Sequence, residues 1–329
     1  MELSRFREII PSVLLKNPPY RPMPGEPVSG LIETGKGVMV RYALWRLSAS
    51  SRKGTVIVLQ GRSEYIEKQY ELISDLLDNG HDVLSFDWRG QGGSSRLLEN
   101  KKAGYVDDFD EYVEDLTEIL QQIALPDCKG PFYILGHSTG SLVALLAAPQ
   151  IANQITRMVL CSPFLGIGRQ PISPYAVKLL AGALAAFGLG EVYLTGRTTE
   201  APTWNEATNI HTSSEEHYKQ NRKFSSEFPD LCIGGATASW VFAACKAFER
   251  IKDPDFCAQI TTPLLIINAG SDVVVNNRES ELLVRKLRSG SFLTIEGARH
   301  EIWQEKAYLR EQFMAAFKAF VPGSDHGKP

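Results

Sequence analysis

The sequence has few cysteines and none that are clustered. Five cysteines are scattered over 329 residues, and no two stand in the C-x-x-C spacing that zinc sites and redox motifs use. An odd, dispersed set also argues against a disulfide framework. We therefore expect most of these thiols to be buried as small apolar side chains, and we expect neither a metal nor an organic cofactor.

A run of basic residues and a long apolar run are also absent. The 35 Lys and Arg are spread among 38 Asp and Glu, which leaves no electrostatic footprint for nucleic acid. The longest apolar stretch, from Ala176 to Gly190, contains Lys178 and is shorter than the roughly 20 residues that cross a bilayer. The amino terminus carries charges where a signal peptide has its apolar core. These absences predict a cytoplasmic protein with no nucleic-acid partner and no membrane span.

What the sequence does contain is the composition and rhythm of a globular α/β protein. It is 43% hydrophobic and 22% charged, and short β-branched runs alternate with segments of helical period. This alternation predicts a mostly parallel sheet flanked by helices. The predicted strands are Val38–Leu47, Thr55–Gln60, Asp82–Asp87, Phe132–Gly136, Arg157–Ser162, Leu264–Ala269 and Ser291–Glu296. The predicted helices are Glu64–Asn79, Val106–Ile123, Ser141–Pro149, Asn276–Arg288 and Glu301–Phe320.

One interval interrupts this alternation. Between Phe164 and about Asp253 the sequence shows helical periodicity cut by prolines, and no run typical of a strand. Because the interval is too long for a simple connection, we predict a helical cap over the carboxyl edge of the sheet. The predicted division is a first core part over residues 1–163 with an extended amino-terminal arm, a cap over 164–253, and a second core part over 254–329 with a disordered tail.

The segment FYILGHSTGSLVALLA places a G-x-S-x-G motif between an apolar strand and a helix of small residues. This is the context of a nucleophile elbow, in which a strained turn pushes the serine hydroxyl into a cleft. Ser138 is therefore the predicted nucleophile.

A serine hydroxyl is a poor nucleophile at neutral pH and needs a base, which in this architecture follows the serine and the acid along the chain. His300 directly follows the last predicted strand and is the predicted base. The other histidines after Ser138 fall in the predicted cap or tail: His211, His217 and His326. The simpler alternative is that His300 caps the helix that begins near Glu301.

The acid should lie at the carboxyl end of a neighbouring strand, where it can orient the imidazole. Asp272 follows the strand LLIINAG and is the predicted acid, with Asp255 and Glu279 as weaker alternatives. The simpler alternative is that Asp272 only caps a helix.

Two backbone amides should receive the negative oxygen of a tetrahedral intermediate. One belongs to the residue after the nucleophile, Thr139, and the other to the turn after the strand TVIVL, which we assign to Arg62. For the Arg62 guanidinium, a solvated or structurally paired side chain is the simpler interpretation, and contact with an anionic head group is the alternative.

These segments resemble the α/β-hydrolase superfamily, and more narrowly its bacterial lysophospholipase and monoacylglycerol lipase branch. The resemblance rests on QGRSEY, FDWRGQGGSSR, GHSTG, and the pair GSD and GARHE, and it covers the chain from about Glu33 to Phe320. It implies an α/β-hydrolase fold with an inserted helical cap and a carboxylic ester hydrolase that acts on acyl glycerols or lysophospholipids. The chain departs from many monoacylglycerol lipases at Gln60-Gly61-Arg62-Ser63, where these have His-Gly-x-Gly, and at Ser141, where a second glycine is common.

We therefore predict a serine ester hydrolase that acts through an acyl-enzyme, with Trp240 as a candidate for lining the acyl pocket. Two alternatives stay open. One is an aminopeptidase-type hydrolase of the same fold, for which Glu215 and Glu216 offer carboxylates to a substrate amine. The other is a binding protein without catalysis. The apolar cap segment either packs on its neighbours or makes transient contact with a membrane.

Overall fold

The computed structural model describes residues 15–48, 52–168, 172–194 and 209–322. The predicted disordered tail beyond Pro322 lies outside these residues, as do the first part of the predicted arm and His326.

Within the described residues, eight strands form one sheet in the order β1-β2-β4-β3-β5-β6-β7-β8. The strands are β1 Val28–Thr34, β2 Val38–Trp45, β3 Thr55–Leu59, β4 Asp82–Phe86, β5 Phe132–His137, β6 Ile155–Cys161, β7 Leu264–Ala269 and β8 Gly290–Ile295. The pairs β1–β2 and β2–β4 are antiparallel, and the other neighbouring pairs are parallel. This mostly parallel sheet confirms the predicted fold class.

Helices cover both faces of the sheet. They are α1 Tyr70–Asp78, α2 Phe109–Ile119, α3 Leu125–Asp127, α4 Thr139–Ile151, α5 Pro174–Ala186, α6 Glu215–Glu227, α7 Ala238–Arg250, α8 Pro254–Gln259, α9 Asn277–Val284 and α10 Ala307–Phe320. Every residue of β3, β4 and β7 is buried, because apolar side chains meet helices on either side. One core cluster joins the sheet to α2, α4 and α7, and the second joins it to α1 and α10.

The segment between β6 and β7 is helical, as predicted, in its described part. It contains α5, α6 and α7 before the short α8. Helix α7 packs against α5 on one side and against α2 and α4 of the core on the other. The boundaries at residues 164 and 253 stay a prediction.

Among the described strands, β1 is the one that the sequence did not predict. It lies at the edge of the sheet and pairs antiparallel with β2 through a tight turn in which Lys36 has φ 63°. Its sequence, VSGLIET, mixes exposed and buried positions and contains a glycine, so it lacks the apolar run that marks the inner strands.

Candidate active site

The predicted nucleophile lies at a sharp turn between β5 and α4. Ser138 has φ 49° and ψ −113°, a conformation that costs a non-glycine residue energy and persists only where neighbours hold it. Its amide donates to the Cys161 carbonyl on β6 at 3.0 Å, and its carbonyl accepts from the Phe164 amide at 3.1 Å. The turn is therefore held from the adjacent strand and from the start of the cap.

Two glycines allow the turn to form. A Cβ atom on Gly140 would lie 2.4 Å from the Leu59 carbonyl oxygen of β3, and one on Gly136 would lie 3.0 Å from the Ser141 Cα. Helix α4 can therefore begin directly against the sheet only because both positions lack a side chain.

The predicted base and acid form a hydrogen-bonded pair. Asp272 follows β7 and His300 follows β8, and His300 Nδ1 lies 2.8 Å from Asp272 Oδ2. The other carboxylate oxygen, Oδ1, accepts the Val274 amide at 2.8 Å and the Val275 amide at 3.2 Å. Asp272 therefore caps the following turn, as the simpler alternative has it, and also holds the imidazole.

The pair favours an ionised carboxylate. Burial alone would raise the pKa of Asp272, but the hydrogen bond and charge of His300, together with the two amides, lower that pKa below its usual value. A carboxylate that stays charged is what an imidazole needs when it takes up a proton during catalysis.

His300 lies beside the nucleophile turn. The ring of His137, the residue before Ser138, is 4.8 Å from the His300 ring, and His137 Nε2 lies 3.1 Å from the His300 carbonyl oxygen. Among the described residues, however, no hydrogen bond joins the Ser138 hydroxyl to His300. In structures without substrate such catalytic contacts are often long and tighten on binding, and the assignment of the three residues stays a prediction.

The turn after β3 presents the predicted oxyanion donor. Amides on either side of Arg62 are occupied: that of Gly61 donates to Glu64 Oε2 at 2.6 Å, and that of Ser63 to Gln91 Oε1 at 3.3 Å. Within the described chain, the amides of Arg62 and Thr139 have no acceptor. Both are thus free to receive a substrate oxygen.

A buried charged network, which the sequence analysis did not identify, joins these pieces. The Glu64 carboxylate contacts the Gly61 amide of the oxyanion turn and His137 Nδ1 at 3.0 Å. Lys68 Nζ lies 3.1 Å from Glu64 and 2.7 Å from Glu301, the residue after His300. Glu64, directly and through Lys68, therefore links the turn after β3, the Ser138 turn and the loop that carries His300.

The network keeps its members charged. Burial would raise the pKa of Glu64, but the charges of His137 and Lys68 and the Gly61 amide lower it well below its usual value. Burial would lower the pKa of His137, but Glu64 raises it. Both ring nitrogens of His137 face oxygen atoms, an arrangement that favours a proton on each nitrogen. The sequence signal for this network was the presence of Glu64 in QGRSEY and of His137 in GHSTG.

The remaining candidates lie around this site or away from it. Trp240 on α7 is buried, stacks on Phe164 at 5.7 Å and donates from Nε1 to the Tyr112 hydroxyl, so it has a packing role whether or not it meets substrate. The alternative acid Glu279 pairs with Lys252. Within the described residues, no group of three or more His, Cys, Asp or Glu is arranged to hold a metal ion.

The alternative bases occupy different places. His211 lies near the site: its ring is 6.3 Å from that of His300, and its carbonyl accepts the Glu301 amide at 2.8 Å. His217 instead pairs with Glu71 of α1 at 2.6 Å. Neither contacts Asp272 in the part of the chain that the structure describes.

A family model described as "Serine aminopeptidase, S33" matches residues 50–307. The chain belongs to this family of α/β-hydrolases. The S33 match contains the Ser138 turn, the cap segment, Asp272 and His300.

Comparison with individual proteins places the chain more narrowly. It is 32% identical over 301 residues to "Lysophospholipase L2" of Escherichia coli (strain K12), covering 89% of this chain and 86% of the relative. It is 25% identical over 298 residues to "Monoglyceride lipase" of Rattus norvegicus, covering 88% and 87%. These relatives confirm the predicted branch and the prediction of a carboxylic ester hydrolase.

A solved structure confirms the fold independently. A soluble variant of monoglyceride lipase from Saccharomyces cerevisiae superposes with a TM-score of 0.71, covering 92% of this chain and 99% of that one, at 20% sequence identity. At this identity the likeness concerns the fold alone.

Proposed function

We propose that the chain hydrolyses the carboxylic ester of lysophospholipids or monoacylglycerols through an acyl-enzyme on Ser138. The observation that carries this proposal is the buried Asp272–His300 hydrogen bond of 2.8 Å beside a strained serine turn. The names of the lysophospholipase and monoglyceride lipase relatives support the substrate class.

In the first half of the proposed reaction, the Ser138 oxygen attacks the ester carbonyl while His300 Nε2 takes the hydroxyl proton. Asp272 holds Nδ1–H and stabilises the resulting imidazolium. The amides of Arg62 and Thr139 receive the carbonyl oxygen as it becomes negative, and each such donor typically contributes about 3–4 kcal/mol to the transition state. His300 then returns the proton to the departing glycerol oxygen, which leaves the acyl group on Ser138.

In the second half, water replaces the alcohol. His300 takes a proton from the water as it attacks the acyl carbonyl, the same two amides hold the oxyanion, and the proton returns to Ser138 as the fatty acid leaves. The steps use only this chain's own residues.

We also propose transient contact between the cap and a lipid surface. On α5 only Ala181 is buried, whereas Leu179 is 63% exposed and Phe187, directly after the helix, is 83% exposed. An exposed apolar face of this kind is typical of a surface that meets lipid or another protein. In the described residues, no helix has the combined length and apolar character needed to cross a bilayer, and a cytoplasmic location stays a prediction.

The second candidate is an aminopeptidase, which the description of the family model favours. It needs carboxylates near the substrate amine. Glu215 is exposed and pairs with Lys219 at 2.7 Å, and Glu216 accepts a hydrogen bond from Gln220 one turn further on the same helix. Because both carboxylates face outward on α6 with partners of their own, the lipid ester is the better supported substrate.

A substrate panel separates the two candidates. Purified wild type and Ser138→Ala are compared on a lysophosphatidylcholine, a monoacylglycerol, a short water-soluble ester and an aminoacyl p-nitroanilide. We expect the highest kcat/KM on a lipid ester, and loss of turnover of all esters in Ser138→Ala. Faster turnover of the aminoacyl amide than of the esters would favour the aminopeptidase. Wild-type ester hydrolysis by Ser138→Ala would contradict the mechanism.

A further inference from the structure

Among the described residues, the side chain of Arg62 is a cation without an anionic partner. In the described part of the chain no carboxylate forms an ion pair with it. Its Nη1 donates to Ser63 Oγ at 3.1 Å and its Nη2 to the Gly234 carbonyl, while its buried Nε has no hydrogen-bond partner. A guanidinium has five N–H donors, so most of its capacity is unused.

Two buried arginines of the core, Arg41 and Arg89, are neutralised by carboxylates. Arg41 lies 2.8 Å from Glu67 and 2.6 Å from Asp87, and Arg89 lies 2.7 Å from Asp115. Arg62 is half-buried, and removing part of the water around a guanidinium without supplying a carboxylate is unfavourable. Burial accordingly lowers the pKa of Arg62 to about 10.

The position of Arg62 relates it to the reacting carbonyl. The backbone amide of Arg62 is the proposed oxyanion donor, so the same residue carries both the guanidinium and a group that would contact the reacting carbonyl. The guanidinium lies 5.3 Å from the centre of the Trp240 ring, and that ring stacks on Phe164, whose amide binds the Ser138 carbonyl. The half-buried charge therefore lies between the turn after β3 and the segment that contains Gly234 and Trp240.

We propose that the Arg62 guanidinium binds the phosphate of a lysophospholipid while the Arg62 amide holds the oxyanion of the same substrate. The ester and the phosphate of a lysophospholipid are carried on one glycerol unit, which suits recognition of both by one residue. The planar guanidinium can donate two parallel hydrogen bonds to two phosphate oxygens. The phosphate would also supply the negative charge that the described residues do not place beside Arg62. This inference rests on the proposed function and narrows its substrate to the phosphate-bearing class.

The test compares two substrates that differ in the phosphate. The ratio of kcat/KM on a lysophosphatidylcholine to that on a monoacylglycerol of the same acyl chain is measured for wild type, Arg62→Gln and Arg62→Lys. We expect the ratio to fall about 10- to 100-fold in Arg62→Gln, the range of a lost hydrogen bond to a charged group, and less in Arg62→Lys, which keeps the charge without the fork. An unchanged ratio in Arg62→Gln would overturn the inference.

Arg96 provides a matched control. It also lacks an ion pair among the described residues, and it also ties the core to this part of the cap, through the Asp230 carbonyl at 2.5 Å and the Gly90 carbonyl at 2.9 Å. Arg96→Gln should leave the ratio within about twofold of wild type. If Arg96→Gln lowers the ratio as much as Arg62→Gln, the effect comes from loosening the cap, and the phosphate assignment is wrong.

A binding measurement separates this inference from the proposed function. Calorimetric titration of wild type and Arg62→Gln uses glycerophosphocholine, inorganic phosphate and glycerol as ligands, with thermal unfolding as the check on folding. We expect glycerophosphocholine to bind wild type at least tenfold more tightly than it binds Arg62→Gln, and inorganic phosphate and glycerol to bind more weakly. Tight binding without ester hydrolysis would refute the proposed function alone, whereas equal binding to both proteins would refute the role of Arg62.

Discussion

At the scale of single residues, the site depends on charges that burial would otherwise suppress. Asp272 and Glu64 are enclosed carboxylates. A histidine and backbone N–H groups lower the pKa of Asp272, and a histidine, Lys68 and the Gly61 amide lower that of Glu64. Their histidine partners differ: within the residues that the structure describes, His300 Nε2 has no hydrogen-bond partner, whereas both ring nitrogens of His137 are occupied. One pair is thus suited to proton transfer and the other to holding the site in place.

Replacing Asp272 by Asn should lower kcat for ester hydrolysis by about 10⁴-fold, because an amide in place of the carboxylate selects the wrong imidazole tautomer. The measurement is steady-state hydrolysis of a lipid ester by folded protein. Asp255→Asn, an exposed position at the start of α8, is the matched control and should retain wild-type activity. A loss of less than tenfold in Asp272→Asn would remove Asp272 from the mechanism.

Glu64 should act as a positioning residue. Glu64→Ala removes the acceptor of the Gly61 amide and the partner of His137, so the oxyanion turn loses its orientation. We expect kcat to fall by about 10²-fold, the lower end of the effect of losing an oxyanion donor, with little change in KM. Glu64→Gln, which keeps an acceptor oxygen, should recover part of the loss. A change in KM alone, or no recovery in Glu64→Gln, would indicate a general packing defect.

At the scale of elements, the sequence predicted the inner strands and the turns that carry Ser138, Asp272 and His300. The runs TVIVL and LLIIN mark strands buried on both faces, and G-x-S-x-G is informative because a strand precedes it and a helix follows. The edge strand β1 was not predicted, because its apolar and polar residues alternate only weakly. The predicted helices at Glu64 and Glu301 begin later than expected, after 3₁₀ turns at Ile66–Gln69 and Ile302–Gln304, since tertiary contacts shape these ends.

Helix α5 yields the prediction at this scale. If its exposed apolar face meets lipid, the double variant Leu179→Gln, Phe187→Gln should bind phospholipid vesicles less tightly, by about tenfold or more, because two apolar side chains no longer enter the interface. Vesicle co-sedimentation measures the partition. Leu282→Gln, an exposed apolar position on α9, is the control and should bind as wild type does. Unchanged binding of the double variant would refute lipid contact through α5.

At the scale of the whole molecule, the parallel sheet brings distant parts of the sequence to one edge. Residues after β3, β5, β7 and β8 meet at the carboxyl ends of these strands, where ligands bind in open α/β sheets. Sequence order alone predicted Ser138, Asp272 and His300 because each follows a strand. It did not predict the Glu64 network or the isolation of Arg62, since both depend on which side chains meet across the fold.

The folded state should lose stability in mild acid through His81. Burial lowers the pKa of His81 from 6.5 to about 4, so between these values the unfolded chain binds a proton that the native protein does not. Stability therefore falls as pH drops from about 6.5 to 4, by up to about 3 kcal/mol from this residue. Urea unfolding at several pH values checks this for wild type and His81→Phe. The variant should show a shallower decline, and identical slopes would contradict the prediction.

The most direct test of the central claim is mass spectrometry of the intact protein, followed by peptide mapping, after reaction with a fluorophosphonate. The account predicts one covalent adduct on Ser138, absent in Ser138→Ala and formed much more slowly in His300→Ala. An unlabelled wild type, or equal labelling of wild type and Ser138→Ala, would contradict a serine nucleophile at this turn.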